Sequence, residues 1–388
     1  MALRLVHLFR NSPVQCHYRR YHDYIRFTTP GGIIRLPLNN PKVIGVANSR
    51  GNRSHQEDFY AFAALSLDPQ ELQLSVKKSF GIDWDPAAVG EPFARQAVFV
   101  GVYDGHGGSA VSQTLRQELH GTFESVTPSI IPELYLWIKE LGGYFRRFKG
   151  GALAPWIYPS ENSPKFDLEA RATAAFFELN LAELQHQWIL LQPLDAPAAP
   201  FFSAARVALT VAHCGDTRVL LCSTDGGKAF AMTQNHHAEA RIEASRLRRL
   251  MGSSMITDSF AIRWMGALEN TRGLGDLRFA KFGVTPEPEV RTKLLTGDEW
   301  AFVVLLSDGV SSILSDDEVV DLARGAPDPK AAANAILSFV EELGGDDNTT
   351  AIVVPLSGWG KVTGPDKTKD LREYRRQQAV GSERQKRM

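Results

Sequence analysis

Cysteine is scarce in this sequence: Cys16, Cys214 and Cys222 are the three among 388 residues, and no CxxC pair occurs. That excludes a disulfide framework, offers no zinc-ligand spacing and fits a reducing compartment. No cysteine is followed six positions later by arginine; His22, Leu220 and Lys228 stand there instead, so a loop pairing a nucleophilic thiolate with a phosphate-binding arginine is excluded. Long apolar runs are also missing. None reaches the ~18 residues a membrane helix needs, so no integral membrane segment is expected. An excess of one charge is missing too: the formal net charge is -1, which gives no sign of general nucleic-acid binding. There is no GxxxxGK phosphate loop, despite Gly226-Gly227-Lys228, and no internal repeat. What is present, 44% hydrophobic and 22% charged residues, is the composition of a soluble globular enzyme with one large domain or two ordinary ones.

Acid is absent from the N-terminus. No Asp or Glu precedes Asp23, while Arg4, Arg10, Arg19 and Arg20 are interleaved with Leu3, Leu5, Val6, Leu8 and Phe9. A helix there is amphipathic and basic, the composition of a mitochondrial transit peptide over residues 1–22; a frayed basic tail is the plainer alternative. Beyond Gly358 the chain is charged and polar and reads as a disordered or loosely docked C-terminal tail over 358–388.

Between these ends, Val43–Asn48 reads as a short strand leading to a polar loop, and Phe59–Leu67 resumes an apolar run. Residues 69–96 read as an irregular inserted loop and 142–166, rich in Gly, Pro and aromatics, as a second insertion. Ala97–Tyr103 is a strand ending in Asp104-Gly105-His106-Gly107-Gly108. A helix with Val111, Leu115, Leu119 and Phe123 on one face follows. Asp167 to about Trp188 reads as a helix. Arg206–His213 and Val219–Cys222 read as paired strands around a turn at Gly215–Arg218. Ala238–Met251 is a basic amphipathic helix. Trp300–Leu306 is a buried strand, Ser315 and Glu318 form a capping box, Pro329–Leu343 is a helix and Ala351–Pro355 a last strand. The pattern predicts an α+β fold, a central β-sandwich of mainly antiparallel sheets flanked by helices, within a catalytic domain spanning 43–357.

Three carboxylates, Asp104, Asp308 and Asp347, sit where predicted strands meet polar or glycine-containing loops; Glu57 and Asp58 form a fourth acidic point. A sheet fixes its strand ends, so carboxylates there can converge at small cost in ordering entropy. Converging carboxylates repel, and oxygen-only ligation favours Mg²⁺ or Mn²⁺ over zinc. Taken singly, each of these residues reads better as a turn former or a helix cap. The adjacent His236 and His237 do not face one another on a helix and read as loop or helix-start residues.

In chain order, Arg53-Ser54-His55-Gln56-Glu57-Asp58 and Val102-Tyr103-Asp104-Gly105-His106-Gly107-Gly108 resemble the opening signature of the protein phosphatase 2C family. Cys214-Gly215-Asp216-Thr217-Arg218 resembles its GDSR turn, and Thr271-Arg272-Gly273-Leu274-Gly275-Asp276 its SRALGD segment. Ser307-Asp308-Gly309 and Asp347-Asn348-Thr349 resemble its two later metal motifs. The resemblance implies a protein serine/threonine phosphatase acting on phosphorylated proteins with water activated by a binuclear Mg²⁺ or Mn²⁺ centre. It implies that Asp104 bridges two metals with the Gly105 carbonyl as a further ligand, that Asp308 and Asp347 complete one site, and that Glu57 holds a metal-bound water, with Asp58 beside it. Arg53 is implied to bind phosphate and His106 to protonate the leaving alkoxide.

Two departures accompany the resemblance. Ser312 stands where the family pattern DGxWD carries a second aspartate, which leaves a weak third metal site at Asp216 incompletely supplied. A Gly-Ser-Thr-Ala segment is missing before the strand that precedes the GDSR strand, so a shortened strand at Ile189–Gln192, joined by a loop at Pro193–Ser203, is expected. The other function class is a phosphatase-like module that binds a partner or phosphoprotein without catalysis; a metal-binding protein without phosphate chemistry leaves Arg53 and His106 unexplained.

Overall fold

The computed structural model describes residues 22–29, 32–180, 185–193, 206–251, 269–275 and 277–386. The transit-peptide reading of 1–22 falls, except for His22, outside the described residues, as do residues 194–203 of the expected Pro193–Ser203 loop and Asp276.

The strands are β1 (Tyr24–Thr29), β2 (Gly32–Pro37), β3 (Gly45–Ser49), β4 (Phe59–Ser66), β5 (Gln96–Asp104), β6 (Gln185–Pro193), β7 (Arg206–Cys214), β8 (Arg218–Ser223), β9 (Ala229–Ala231), β10 (Glu289–Thr296), β11 (Trp300–Leu306) and β12 (Thr349–Pro355). They form two five-stranded antiparallel sheets, ordered β10-β7-β6-β5-β4 and β3-β12-β11-β8-β9, with a separate β1-β2 hairpin. Alternation along the strands builds the layers. Val98, Val100 and Val102 of β5 meet Val303, Leu305, Ile352 and Val354 between the sheets. Phe99 and Tyr103 point the other way, onto Leu115, Leu119, Phe176 and Phe177 of the helices Ala110–Ser125 and Leu168–Leu179. On the far side, Val304 and Leu306 pack against Ile336 and Val340 of the helix Pro329–Glu342. The α+β sandwich expected from the sequence is the fold observed.

Several local expectations are corrected. Residues 69–96 are not an irregular loop. They fold into helices Pro69–Phe80, Pro86–Val89 and Glu91–Ala94, the first capped by Asp68, opened by Pro69 and buried through Leu72 and Val76. The helix that starts after Asp167 stops at Leu179, and Gln185–Trp188 is strand. That strand is not shortened to Ile189–Gln192: Gln185 pairs with Asp104, His186 with Cys214, and the register runs on to Pro193. Among the described residues, no gap is left beside Cys214.

The strands either side of Gly215–Arg218 are not partners. β7 pairs with β6 and β10, whereas β8 pairs with β11 and β9, so the turn carries the chain from one sheet to the other. The C-terminal segment is neither disordered nor loose. Lys369–Lys386 is a helix; Arg375 pairs with Glu318 at 2.6 Å, Arg376 with Glu342 at 2.7 Å, and the Arg324 guanidinium donates to the carbonyls of Thr363, Gly364 and Pro365. The Ser315–Glu318 capping box forms as the sequence predicts.

Candidate metal centre

Antiparallel register gathers the acidic strand ends. Phe59 pairs with Tyr103, so Glu57 and Asp58, just before β4, stand beside Asp104 at the end of β5; the end of β7 lies alongside, across β6. In the other sheet Leu306 pairs with both Ala351 and Arg218, which puts the residues after β11, before β12 and before β8 at one edge. The crossover turn holding Asp216 joins these two edges, and both sets of loops therefore meet at one end of the sandwich.

At that end, carboxylate oxygens of Asp104, Asp216 and Asp308 lie within 4.8 Å of one another. The Asp308 amide donates to Asp104 Oδ2 at 3.1 Å, fixing the two loops against each other. Asp347 stands outside this group of three: its Oδ2 accepts from Arg53 Nη2 at 2.6 Å, while its charge is felt by Asp308 and Asp58. Asp58 is buried and accepts from Thr350 Oγ1 at 2.9 Å. Glu57 is held by its backbone, its amide donating to Asn348 Oδ1 and its carbonyl accepting from Ser112 Oγ, both at 2.6 Å. His106 is exposed on the loop after Asp104, and Ser312 is exposed with its amide on the Asp308 carbonyl at 2.8 Å.

Two glycines permit this approach of loops. A Cβ on Gly105 would stand 2.5 Å from the Glu57 carbonyl oxygen, and one on Gly309 2.0 Å from that of Asn348, so neither position accepts a side chain without moving backbone.

The electrostatics are those of negative charge without enough cation. Burial first, then the charges of Asp308, Asp58 and Asp216, hold the Asp104 carboxyl well above its usual range. Burial followed by Asp216 raises Asp308 to about 7, against a lowering hydrogen bond with Asp104. Burial raises Asp58 to about 6, although its hydrogen bonds to Ser307 and Thr350 act the other way. Asp216 Oδ1 is buried and has no hydrogen-bond partner among the described residues. Three converging carboxylates with an unpartnered oxygen and no sulfur donor suit a hard divalent cation such as Mg²⁺ or Mn²⁺.

The fold also brings to the site His236 and His237, loop residues as the sequence suggests but given no role there. His237 Nε2 sits 3.3 Å from Asp216 Oδ2. His236 Nδ1 accepts from the Gly215 amide at 3.1 Å and stacks on His213 with ring centroids 4.6 Å apart. Nothing in the spacing signals these contacts, since each spans more than twenty residues and two elements. Behind them, buried Glu243 binds Arg246 and Arg272, each at 2.7 Å, and accepts from Thr271 Oγ1 at 2.8 Å, so the Thr271–Arg272 motif serves as a clamp.

Comparison with known proteins agrees with this architecture. The family model described as Protein phosphatase 2C matches residues 200–349. The chain is 30% identical to Protein phosphatase 2C homolog 4 of Schizosaccharomyces pombe over 373 residues, covering 91% of each chain. It is 26% identical to Protein phosphatase 1K, mitochondrial, of Xenopus laevis, covering 84% of this chain and 71% of the relative. A solved phosphatase from Toxoplasma gondii superposes with a TM-score of 0.54 at 17% identity, over 81% of this chain and 95% of that one, which supports the fold. With nine-tenths of the chain aligned to such a relative and the acidic strand ends meeting at one edge of the sandwich, the protein belongs to the protein phosphatase 2C family of metal-dependent serine/threonine protein phosphatases.

Proposed function

We propose that this protein hydrolyses phosphoserine and phosphothreonine in protein substrates at the end of the sandwich where Asp104, Asp216 and Asp308 converge. The convergence of those three carboxylates within 4.8 Å carries the reading. Asp104, Asp308 and Asp347, the Gly105 carbonyl, Glu57 and Asp58 are the residues assigned to two Mg²⁺ or Mn²⁺ ions, with Asp216 offering a further oxygen. When bound, such a pair supplies Lewis acidity towards water and neutralises charge on the phosphoryl oxygens.

The chain's own groups do the remainder. Arg53, 59% exposed at its side chain and oriented by Asp347, can turn its guanidinium to the phosphoryl oxygens and hold them bidentately. His106, exposed beside Asp104, delivers a proton to the departing Ser or Thr oxygen, which leaves poorly as an alkoxide. Asn348 ties the loops together: its side-chain nitrogen donates to the carbonyls of Arg50 and His55 and its oxygen accepts from Glu57. That keeps Arg53 and Glu57 on the same side of the site. The acid-free basic leader and the mitochondrial relative together support a mitochondrial location, with residues 1–22 as the import signal and 43–357 as the catalytic domain.

The test is Mn²⁺-dependent hydrolysis of p-nitrophenyl phosphate and of a phosphothreonine peptide, with Asp308→Ala as control. Losing a metal-holding carboxylate removes several kcal/mol of transition-state stabilisation, so turnover should fall by about 10³-fold or more while the circular dichroism spectrum is unchanged. Near-normal turnover of Asp308→Ala at saturating Mn²⁺ removes the assignment.

A further inference from the structure

A second feature lies away from the acidic cluster. The helix Arg241–Met251 and the segment around Gly143–Arg147 enclose an open cleft of about 600 Å³. Its walls carry Arg147, Lys149, Arg241 and Arg249, all exposed, and none of the four forms an ion pair among the described residues. Arg246 also lines the cleft, but it is balanced by Glu243, with Glu287 alongside. Among the described residues the cleft therefore holds four positive charges without an ion-pair partner, on a chain whose formal net charge is -1. Tyr144, Phe148 and Ile242 supply apolar surface between them, and Ile242 is 53% exposed.

The cleft leads towards the catalytic end. A neighbouring cavity of about 500 Å³ shares Arg241 and Ile242 with it and is lined further by Gln234, Asn235 and His236. The next residue, His237, is the one that touches Asp216.

We infer that this cleft is a docking site for an acidic segment of the phosphoprotein substrate, flanking the phosphorylated residue that enters the metal centre. The inference rests on the phosphatase reading above for the word substrate, but the cleft's preference for acidic peptide can be measured without turnover. A narrow concavity with aromatic and aliphatic patches between its cations suits an extended peptide carrying Asp, Glu or a second phosphate. A membrane surface or a nucleic-acid backbone calls for a broad positive face, which a chain of net charge -1 does not supply.

The experiment compares two phosphothreonine peptides on the full-length protein, identical except that one carries Asp and Glu on its flank and the other Asn and Gln. Wild type should turn over the acidic peptide with a kcat/KM about tenfold higher at low salt, the advantage lying in KM and shrinking as salt rises. Two charge reversals on separate elements, Arg147→Glu with Lys149→Glu and Arg241→Glu with Arg249→Glu, should each abolish that advantage and leave p-nitrophenyl phosphate turnover unchanged. Fluorescence anisotropy of a labelled, unphosphorylated acidic peptide gives the same comparison as binding. Equal handling of the two peptides by wild type, or a preference that survives both reversals, overturns the docking site. So does binding to anionic vesicles that the reversals abolish while the peptides remain undistinguished. Loss of p-nitrophenyl phosphate turnover in wild type bears on the phosphatase reading alone, because the anisotropy comparison still decides the cleft.

Discussion

Two carboxylates of this protein, Glu243 and Asp308, are both withdrawn from water, and their pKa values are driven in opposite directions. Burial alone would raise Glu243, yet Arg246 and Arg272 overturn that effect and lower it to about 2. Burial raises Asp308 to about 7, and its neighbours Asp216, Asp347 and Asp58 add to the effect instead of opposing it. Desolvation has the same sign at both sites, so the sign of the surrounding charge decides the outcome. Glu243 has its counter-charges built into the fold and acts as a structural clamp. Asp308 lacks them, which is the arrangement expected of a group that works with a cation from solution.

The contrast is broken most severely at the clamp. Glu243→Gln leaves two arginines inside the protein without their shared partner, and removing one side of a buried ion pair costs roughly 3–5 kcal/mol. A denaturant melt followed by circular dichroism should show this loss; a change well below 1 kcal/mol would mean the arginines relax to water and the clamp is ornamental.

The second expectation concerns pH and is read on chelated protein, where no cation offsets the acidic cluster. Asp308 moves from an ordinary 3.8 to about 7 on folding, so its contribution is fully present below 3.8 and is lost as pH rises through 7. Glu243 moves from 4.5 to about 2, so its contribution is present above 4.5 and is lost as pH falls through 2. Melting temperature against pH should therefore decline between about 4 and 7 in wild type, and Asp308→Asn should flatten that decline. A decline of equal size in the variant would assign it to other groups.

The smallest effect sharpens the same point. With chelator at pH 8, Asp308→Asn should be as stable as wild type or more stable by about 1 kcal/mol, because one of several repelling charges is gone. In a protein of this size that is a rise of only a few degrees, visible by scanning calorimetry. A clear fall in melting temperature would show that Asp308 is structural after all.

Much of this molecule could be read locally. Compact apolar runs such as Ala97 to Tyr103 and Trp300 to Leu306, and the Ser315–Glu318 box, are set by neighbours within a few residues, and the structure agrees with each. The order of acidic and glycine motifs carried the family likeness without any contact being known. Two of the misreadings share one cause, a partner distant in sequence. Gln185–Trp188 continues a helical pattern in sequence and becomes strand because β5 and β7 bond it on both sides. The polar C-terminal segment has too little apolar surface to order itself, and is held by acids and arginines on the helices Asp316–Ala323 and Pro329–Glu342 and just beyond.

The amino-acid sequence by itself determined many of the strands and helices, the sandwich class and which carboxylates stand at strand ends, because apolar patterning and turn chemistry act over a few residues. Only the tertiary structure decided that Gly215–Arg218 crosses between sheets, that Asp216 rather than Asp347 joins Asp104 and Asp308 within 4.8 Å, and that His237 reaches Asp216. Those are outcomes of strand pairing between distant segments, and a linear pattern carries no record of which sheet edge a strand will join.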